Sequence, residues 1–293
     1  MSEAFWETNI IYRTIAGSHA FGLATEESDQ DVRGVCIPSR RSLLGLTPFE
    51  QREDHGEDGD TVIYGLGKFV RLGLACNPSI IELLYTEPRF ILFINEYGKE
   101  LLAHRGLFLT RQVRHTFASY AISQLRRIER HHRWIANPPN HQPIQEEFGG
   151  WTTGSRYRFP DSDAERSYRA ALKHWNEYQT WQRNRNPARA ELERRFGYDT
   201  KHAMHLLRLL RMGMEILETG QVHVYRPDRE WLLAVRNGLL SYEALVDLAG
   251  SYETRLAELS ATSRLHETPD VDAAEQMVVE MQDRFLSEDR GTR

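Results

Sequence analysis

The sequence predicts an α+β protein: an N-terminal α/β domain with a mixed sheet over residues 1–100, then a mostly α-helical domain over residues 101–286. Two observations carry this. Runs rich in β-branched and apolar residues, Asn9–Ala16 and Val32–Pro38, fall early in the chain and end at turn residues. From about Asn95 onward the apolar residues recur at helical spacing instead. With 293 residues, 40% hydrophobic and 27% charged, the chain suits one large domain or two smaller ones. The same composition excludes a disordered chain, a collagen-like fibre and a disulfide scaffold.

The elements follow in order. Asn9–Ala16 reads as a strand running into the Gly17-Ser18 turn, and Val32–Pro38 as a second strand. Glu50–Asp60 is polar, acidic and Gly-containing, and is expected to be a surface loop. Thr61–Tyr64 reads as a short third strand. Leu66, Phe69, Val70 and Leu74 lie at helical spacing within Gly65–Leu74. Ser79–Tyr85 is a short apolar run holding one acid, and its periodicity fits strand and helix equally. Thr110–Ile135 is a long amphipathic helix pattern stopped by Asn137-Pro138-Pro139. A long connection over Asn140–Asp161 precedes a helix at Ser162–Arg183. Asp199 is placed to cap a helix ending at Thr219, with Gly220 as its stop. Thr268-Pro269 has the form of a cap followed by Pro at the first helical position. Residues 287–293 are expected to form a disordered tail.

Net charge is −5, from 37 basic and 42 acidic residues, which argues against wholesale coating of nucleic acid. The distribution is uneven. Leu101–Arg133 carries seven arginines, Arg126, Arg127, Arg130 and Arg133 among them, against Glu129 alone, whereas Glu267–Asp289 is acidic. Lysine occurs only at Lys68, Lys99, Lys173 and Lys201, so each compact ammonium stands out against the planar arginines. No stretch approaches the roughly 18 to 20 apolar residues of a membrane span, and the opening MSEAFWETN lacks a secretory pattern. Cys36 and Cys76 form no framework. No membrane partner and a reducing, cytoplasmic setting are expected.

The chemistry concentrates in Ala16–Val35. Gly17 lets the backbone approach a bulky anion, and Ser18 adds a hydroxyl donor. Asp29 and Asp31 follow; on a strand, residues two apart face one side, so both carboxylates would project together. Paired carboxylates are costly unless a cation neutralises them. Magnesium takes one or two protein carboxylates and completes its shell with water and substrate phosphates. A Gly-Ser turn beside Asp-x-Asp therefore suits two-metal displacement at phosphorus, with Mg2+ or Mn2+ as the ions and an NTP as substrate. Taken alone, Asp-x-Asp is also a common turn sequence.

These motifs resemble the signature of the DNA polymerase β nucleotidyltransferase superfamily. Gly17–Gly22, Ser28–Gly34, Lys68-Phe69, Asn77–Leu84 and Gly197–Arg208, in series, are similar to a group of bacterial and phage nucleotidyltransferases associated with RNA repair. The likeness extends over most of the chain, to Arg226-Pro227 and Asn237-Gly238. It implies a helix between the Gly-Ser turn and the Asp-x-Asp strand and a third acid from a later strand. It departs from the usual pattern at Gln30, where an apolar residue is common. Glu82, inside an apolar run where an unpaired acid would be expensive to bury, is the expected third acid, and Asp60 is the runner-up. The alternative for Glu82 is an arginine partner or a route to solvent.

Further candidates surround this core. Lys201, His205 and Arg208 fall at i, i+4 and i+7, one helix face suited to a triphosphate or an RNA phosphate; such spacing also marks a solvated basic stripe. Met204, Leu207, Leu210 and Met214 form the inward face. Lys68 would touch phosphate or pair with an acid, and Arg33 would contact phosphate or hold the carboxylates. His19 would line the nucleotide pocket or serve packing. His202 with His205, and His131 with His132, lack further ligands at zinc spacing. The expected activity is metal-dependent transfer of an NMP from an NTP to an acceptor hydroxyl, RNA being the first acceptor, with pyrophosphate released. A binding module without turnover, transfer to a small molecule or a protein hydroxyl, and metal-dependent hydrolysis are the alternatives.

Overall fold

A computed structural model of the chain describes residues 5–26, 28–56, 59–154 and 156–291. After α1 (Phe5–Thr8), β1 (Ile10–Ile15) runs into the short α2 (Gly17–Phe21). β2 (Val32–Cys36) and α3 (Arg40–Leu44) precede the paired β3 (Gln51–Gly56) and β4 (Gly59–Gly65). α4 (Leu66–Leu74), α5 (Pro78–Leu84), β5 (Ile91–Ile94) and α6 (Glu96–Ala103) follow. The helical half comprises α7 (Val113–Ala136), a small ribbon of β6 (Trp151–Thr153) and β7 (Arg156–Arg158), α8 (Ser162–Arg183) and α9 (Pro187–Phe196). It continues through α10 (Thr200–Thr219), α11 (Arg229–Arg236), α12 (Tyr242–Thr262) and α13 (Val271–Gly291). The architecture is α+β, as expected.

The main sheet has the order β3-β4-β2-β1-β5. β2 and β4 are parallel, Val32 opposite Thr61, while the other pairs are antiparallel, so the sheet is mixed. β3 occupies the stretch expected to be a loop. Its charged residues sit on an edge strand, where they discourage pairing with another chain while the backbone bonds β4 on the inner side. The opposite edge, β5, has only four residues, with Leu92 and Phe93 exposed, and carries no strand signal long enough to stand out.

Ser79–Tyr85 resolves as helix. Asn77 caps α5, its Oδ1 accepting the Ser79 N–H at 3.0 Å, and Pro78 opens the first turn. Asp199 and Gly220 bound α10 as expected. The Asp199 carboxylate accepts the His202 N–H at 3.0 Å, and Gly220 takes the left-handed conformation at φ 72°. α13 starts beyond Pro269, with Asp270 accepting the Ala273 N–H at 3.0 Å.

α13 runs to Gly291, into the stretch expected to form the tail; Thr292 and Arg293 lie outside the described residues. Side chains join this end of α13 to α6. The Tyr97 hydroxyl donates to Glu288 at 2.7 Å, Phe285 meets the Tyr97 ring edge-on, and Arg284 pairs with Glu100. One apolar core runs from Ile11 and Leu66 through Phe117 and Leu207 to Met281, so buried packing continues across residue 100. α10 is its axis, buried along most of its length between α7 and α12.

Candidate active site

The Ala16 N–H donates to the Asp31 carbonyl at 2.8 Å and draws the start of α2 against the entry to β2. Gly17 sits there at φ 65°, and a Cβ on it would lie 2.6 Å from Asp31 Oδ2. Both the backbone angle and the close approach require glycine. Leu23 N–H returns to the Ser18 carbonyl at 2.9 Å and closes this turn. His19 Nε2 donates to the Ser28 carbonyl at 3.1 Å; a carbonyl only accepts, so this nitrogen carries the proton. His19 thus tethers the loop leading to Asp29, and it does not line the cavity described below.

Asp29 and Asp31 precede β2 instead of lying on it, which corrects the expected strand placement. The strand begins only where pairing with β1 and β4 begins, at Val32. Asp29 is exposed, and its charge reaches Lys201. Asp31 is half-buried. Its neighbour across the sheet is Asp60, because the parallel register sets Val32 opposite Thr61. The Asp60 N–H makes a long hydrogen bond, 3.4 Å, to Asp31 Oδ1. Arg33 donates to the Asp60 carbonyl at 2.7 Å and stands 3.8 Å from Asp31, so it braces both acids. The Asp60 carboxylate accepts from His55 Nδ1 at 2.8 Å, and that bond raises the His55 pKa above its ordinary value.

Behind Asp31 lies a cavity of about 240 Å³ whose walls include Gly17, Asp31, Arg33, Glu82, His205 and Arg208. Glu82 is ion-paired with Arg208, whose guanidinium also stacks on the Phe21 ring at 3.8 Å. His205 is held well below the ordinary histidine pKa by burial, then by the charges of Arg208 and Lys201, so it is neutral at pH 7. Lys201 is half-buried, its pKa lowered by burial and by Arg189 and Arg236. Lys68 lies half-buried on α4 and outside this lining.

The donors present fit a divalent ion of the magnesium type. Asp31 and Asp60 offer hard oxygens from neighbouring backbone positions, Asp29 offers another two residues earlier, and Gly17 leaves Asp31 Oδ2 free of a covering side chain. Glu82 is committed to Arg208 in a buried pair, whereas the pair that Asp60 makes with His55 is open to solvent. Among the described residues, the one group whose ligand atoms already lie within 4.8 Å of one another is elsewhere: His131, Glu193 and Asp199. Those carboxylates are occupied, Glu193 by Arg185 and Asp199 by His202.

The profile of the RNA repair pathway DNA polymerase beta family matches residues 2–280. The chain belongs to that family. No curated protein matches it. Membership in the RNA repair pathway DNA polymerase beta family bears out the resemblance carried by the motifs along the chain. No helix among the described residues is long and apolar enough to cross a membrane.

Proposed function

We propose that this chain is a metal-dependent nucleotidyltransferase that moves an NMP from an NTP to a hydroxyl at an RNA end. The observation that carries the reading is the approach of Asp31, at the entry to β2, to Asp60 of the parallel neighbour β4, with Gly17 against Asp31 on the wall of a cavity. Family membership supports the reaction class and the RNA setting.

Asp29, Asp31 and Asp60 would hold the divalent ions, magnesium or manganese, which supply neutralising charge to the phosphates and to the acceptor oxygen. This replaces Glu82 with Asp60 as third ligand, since Glu82 is the counter-ion of Arg208. The acceptor oxygen bonds to the α-phosphorus. The bond from that phosphorus to the bridging oxygen breaks, and pyrophosphate leaves with the electron pair; the hydroxyl proton passes to solvent or a carboxylate. Gly17 and Ser18 present backbone close to the triphosphate, and Lys201, half-buried near Asp29, offers a compact positive charge. Arg33 keeps Asp31 and Asp60 in place.

The test is pyrophosphate release from each of the four NTPs with magnesium or manganese, with and without single-stranded RNA. Release that rises with RNA and disappears in Asp31→Asn and Asp60→Asn is the expected result. Undiminished release in Asp31→Asn would overturn the assignment of the acids. Nucleotide binding without release from any NTP would favour a binding module, and free NMP as product would favour hydrolysis.

A further inference from the structure

A second cavity, about 920 Å³, opens in the helical half among α7, α8 and α9. That volume is in the range of sites that enclose small organic ligands. One wall is aromatic: Trp134 and Trp181 lie with ring centroids 5.3 Å apart, and His131 packs on both. The remainder is charged, with six cations against three carboxylates, Glu177, Glu193 and Asp199.

The sign of the charge decides what this cavity holds. Glu193 is bound by Arg185, with Nε to Oε2 at 2.7 Å, and Asp199 by His202 Nδ1 at 2.7 Å. A metal at the His131–Glu193–Asp199 group would displace these partners and face the Arg185 guanidinium. The cations are the surplus. Arg127 donates only to His202 Nε2, at 3.1 Å, and Arg130 lies over Trp134 at 5.6 Å. Neither has a carboxylate partner among the described residues, and Arg189 comes no closer than 4.0 Å to Asp199. His131 Nδ1 is buried without a hydrogen-bond partner, although Glu193 Oε1 is 3.4 Å away. An aromatic wall beside surplus arginines suits a planar base joined to a phosphate.

We propose that this cavity binds a nucleoside phosphate unit, its base on the Trp134–Trp181 wall and its phosphate on Arg127, Arg130 and Arg189. The unit comes either from the end of a single-stranded RNA or from a free nucleotide. Placement favours the RNA end. Asp199 lines this cavity, while His205 and Arg208 of the helix it caps line the other. Six residues of helix rise about 9 Å, so α10 joins the walls of the two cavities. Service as the acceptor site rests on the transferase reading above; binding by itself does not.

The test is equilibrium binding to the full chain, followed by tryptophan fluorescence. The probes are a 5′-phosphorylated single-stranded oligoribonucleotide and AMP. Variants are Arg127→Gln with Arg130→Gln, Trp181→Ala and the milder Trp181→Phe, each checked for a wild-type melting curve. Arginine replacement is expected to weaken the oligonucleotide about tenfold and to flatten its salt dependence, by about 0.7 log unit per lost phosphate contact. Trp181→Ala should weaken binding also, and Trp181→Phe should restore it. Tighter binding of the oligonucleotide assigns the RNA end, and equal binding of AMP assigns a free nucleotide. Wild-type binding in the folded arginine and Trp181→Ala variants, or no binding of either probe to the wild type, overturns the site. Asp31→Asn separates the two readings: it should keep this binding while losing pyrophosphate release. Arginine-dependent binding in a protein that releases no pyrophosphate would sink only the transferase reading.

Discussion

Arg208 of α10 and Glu82 of α5 form a buried ion pair beneath the candidate active site, their side chains only 6% and 12% exposed. The pair ties the helical axis of the molecule to the helix that backs the acid cluster. Arg208 also rests on the Phe21 ring, and its Nε is buried without a partner, so it depends heavily on Glu82.

Removing one partner leaves the other charge buried and uncompensated. Glu82→Leu is expected to cost about 3–5 kcal/mol, read from urea unfolding. The double variant Glu82→Leu, Arg208→Met removes both charges and should recover much of that loss. A Glu82→Leu protein with wild-type stability and no transfer activity would instead return Glu82 to the role of metal ligand.

Gly17→Ala tests the turn. The new Cβ would meet Asp31 Oδ2 at 2.6 Å, and φ is 65°. The left-handed backbone alone costs about 1–2 kcal/mol with a side chain, and Asp31 must also shift. The expected result is a modest fall in melting temperature and a much larger fall in pyrophosphate release. Loss of stability with unchanged release would separate the turn from the chemistry.

Legibility in the sequence followed the range of the forces involved. Asp199 and Gly220 bound α10 by contacts within a few residues, so local chemistry revealed both ends. Asn77-Pro78 offered the same kind of signal for α5, and it distinguishes helix from strand where the periodicity of Ser79–Tyr85 does not. β3 was hidden because its charged side chains are those of an edge strand as well as those of a loop. Asp29 and Asp31 were legible as a motif, but the nearness of Asp60 depends on a parallel register set by the whole sheet. Glu82 and Arg208 are 126 positions apart, and the second cavity draws Trp134, Trp181 and Arg189 from three helices. No spacing rule reaches across such separations.

The acid limb of the stability profile should report on Asp199. Burial alone would raise its pKa, but hydrogen bonding to His202 and the nearby charges pull it from 3.8 to about 2. A depressed carboxylate stabilises the fold above its unfolded pKa, and that contribution fades as pH falls through the folded value. The shift corresponds to about 2 kcal/mol, lost between roughly pH 4 and pH 2. Asp199→Asn should therefore be less stable at pH 7 and show a shallower loss in that window. His205 acts in a different window with the opposite charge type. Its folded pKa lies well below 6.5, so the unfolded chain binds a proton first, and stability falls as pH drops below about 6.5. His205→Gln should flatten the profile between pH 7 and pH 5 and leave the Asp199 limb in place. Melting curves across pH 7 to pH 2 on the three proteins check both, and parallel profiles in all of them would refute the assignments.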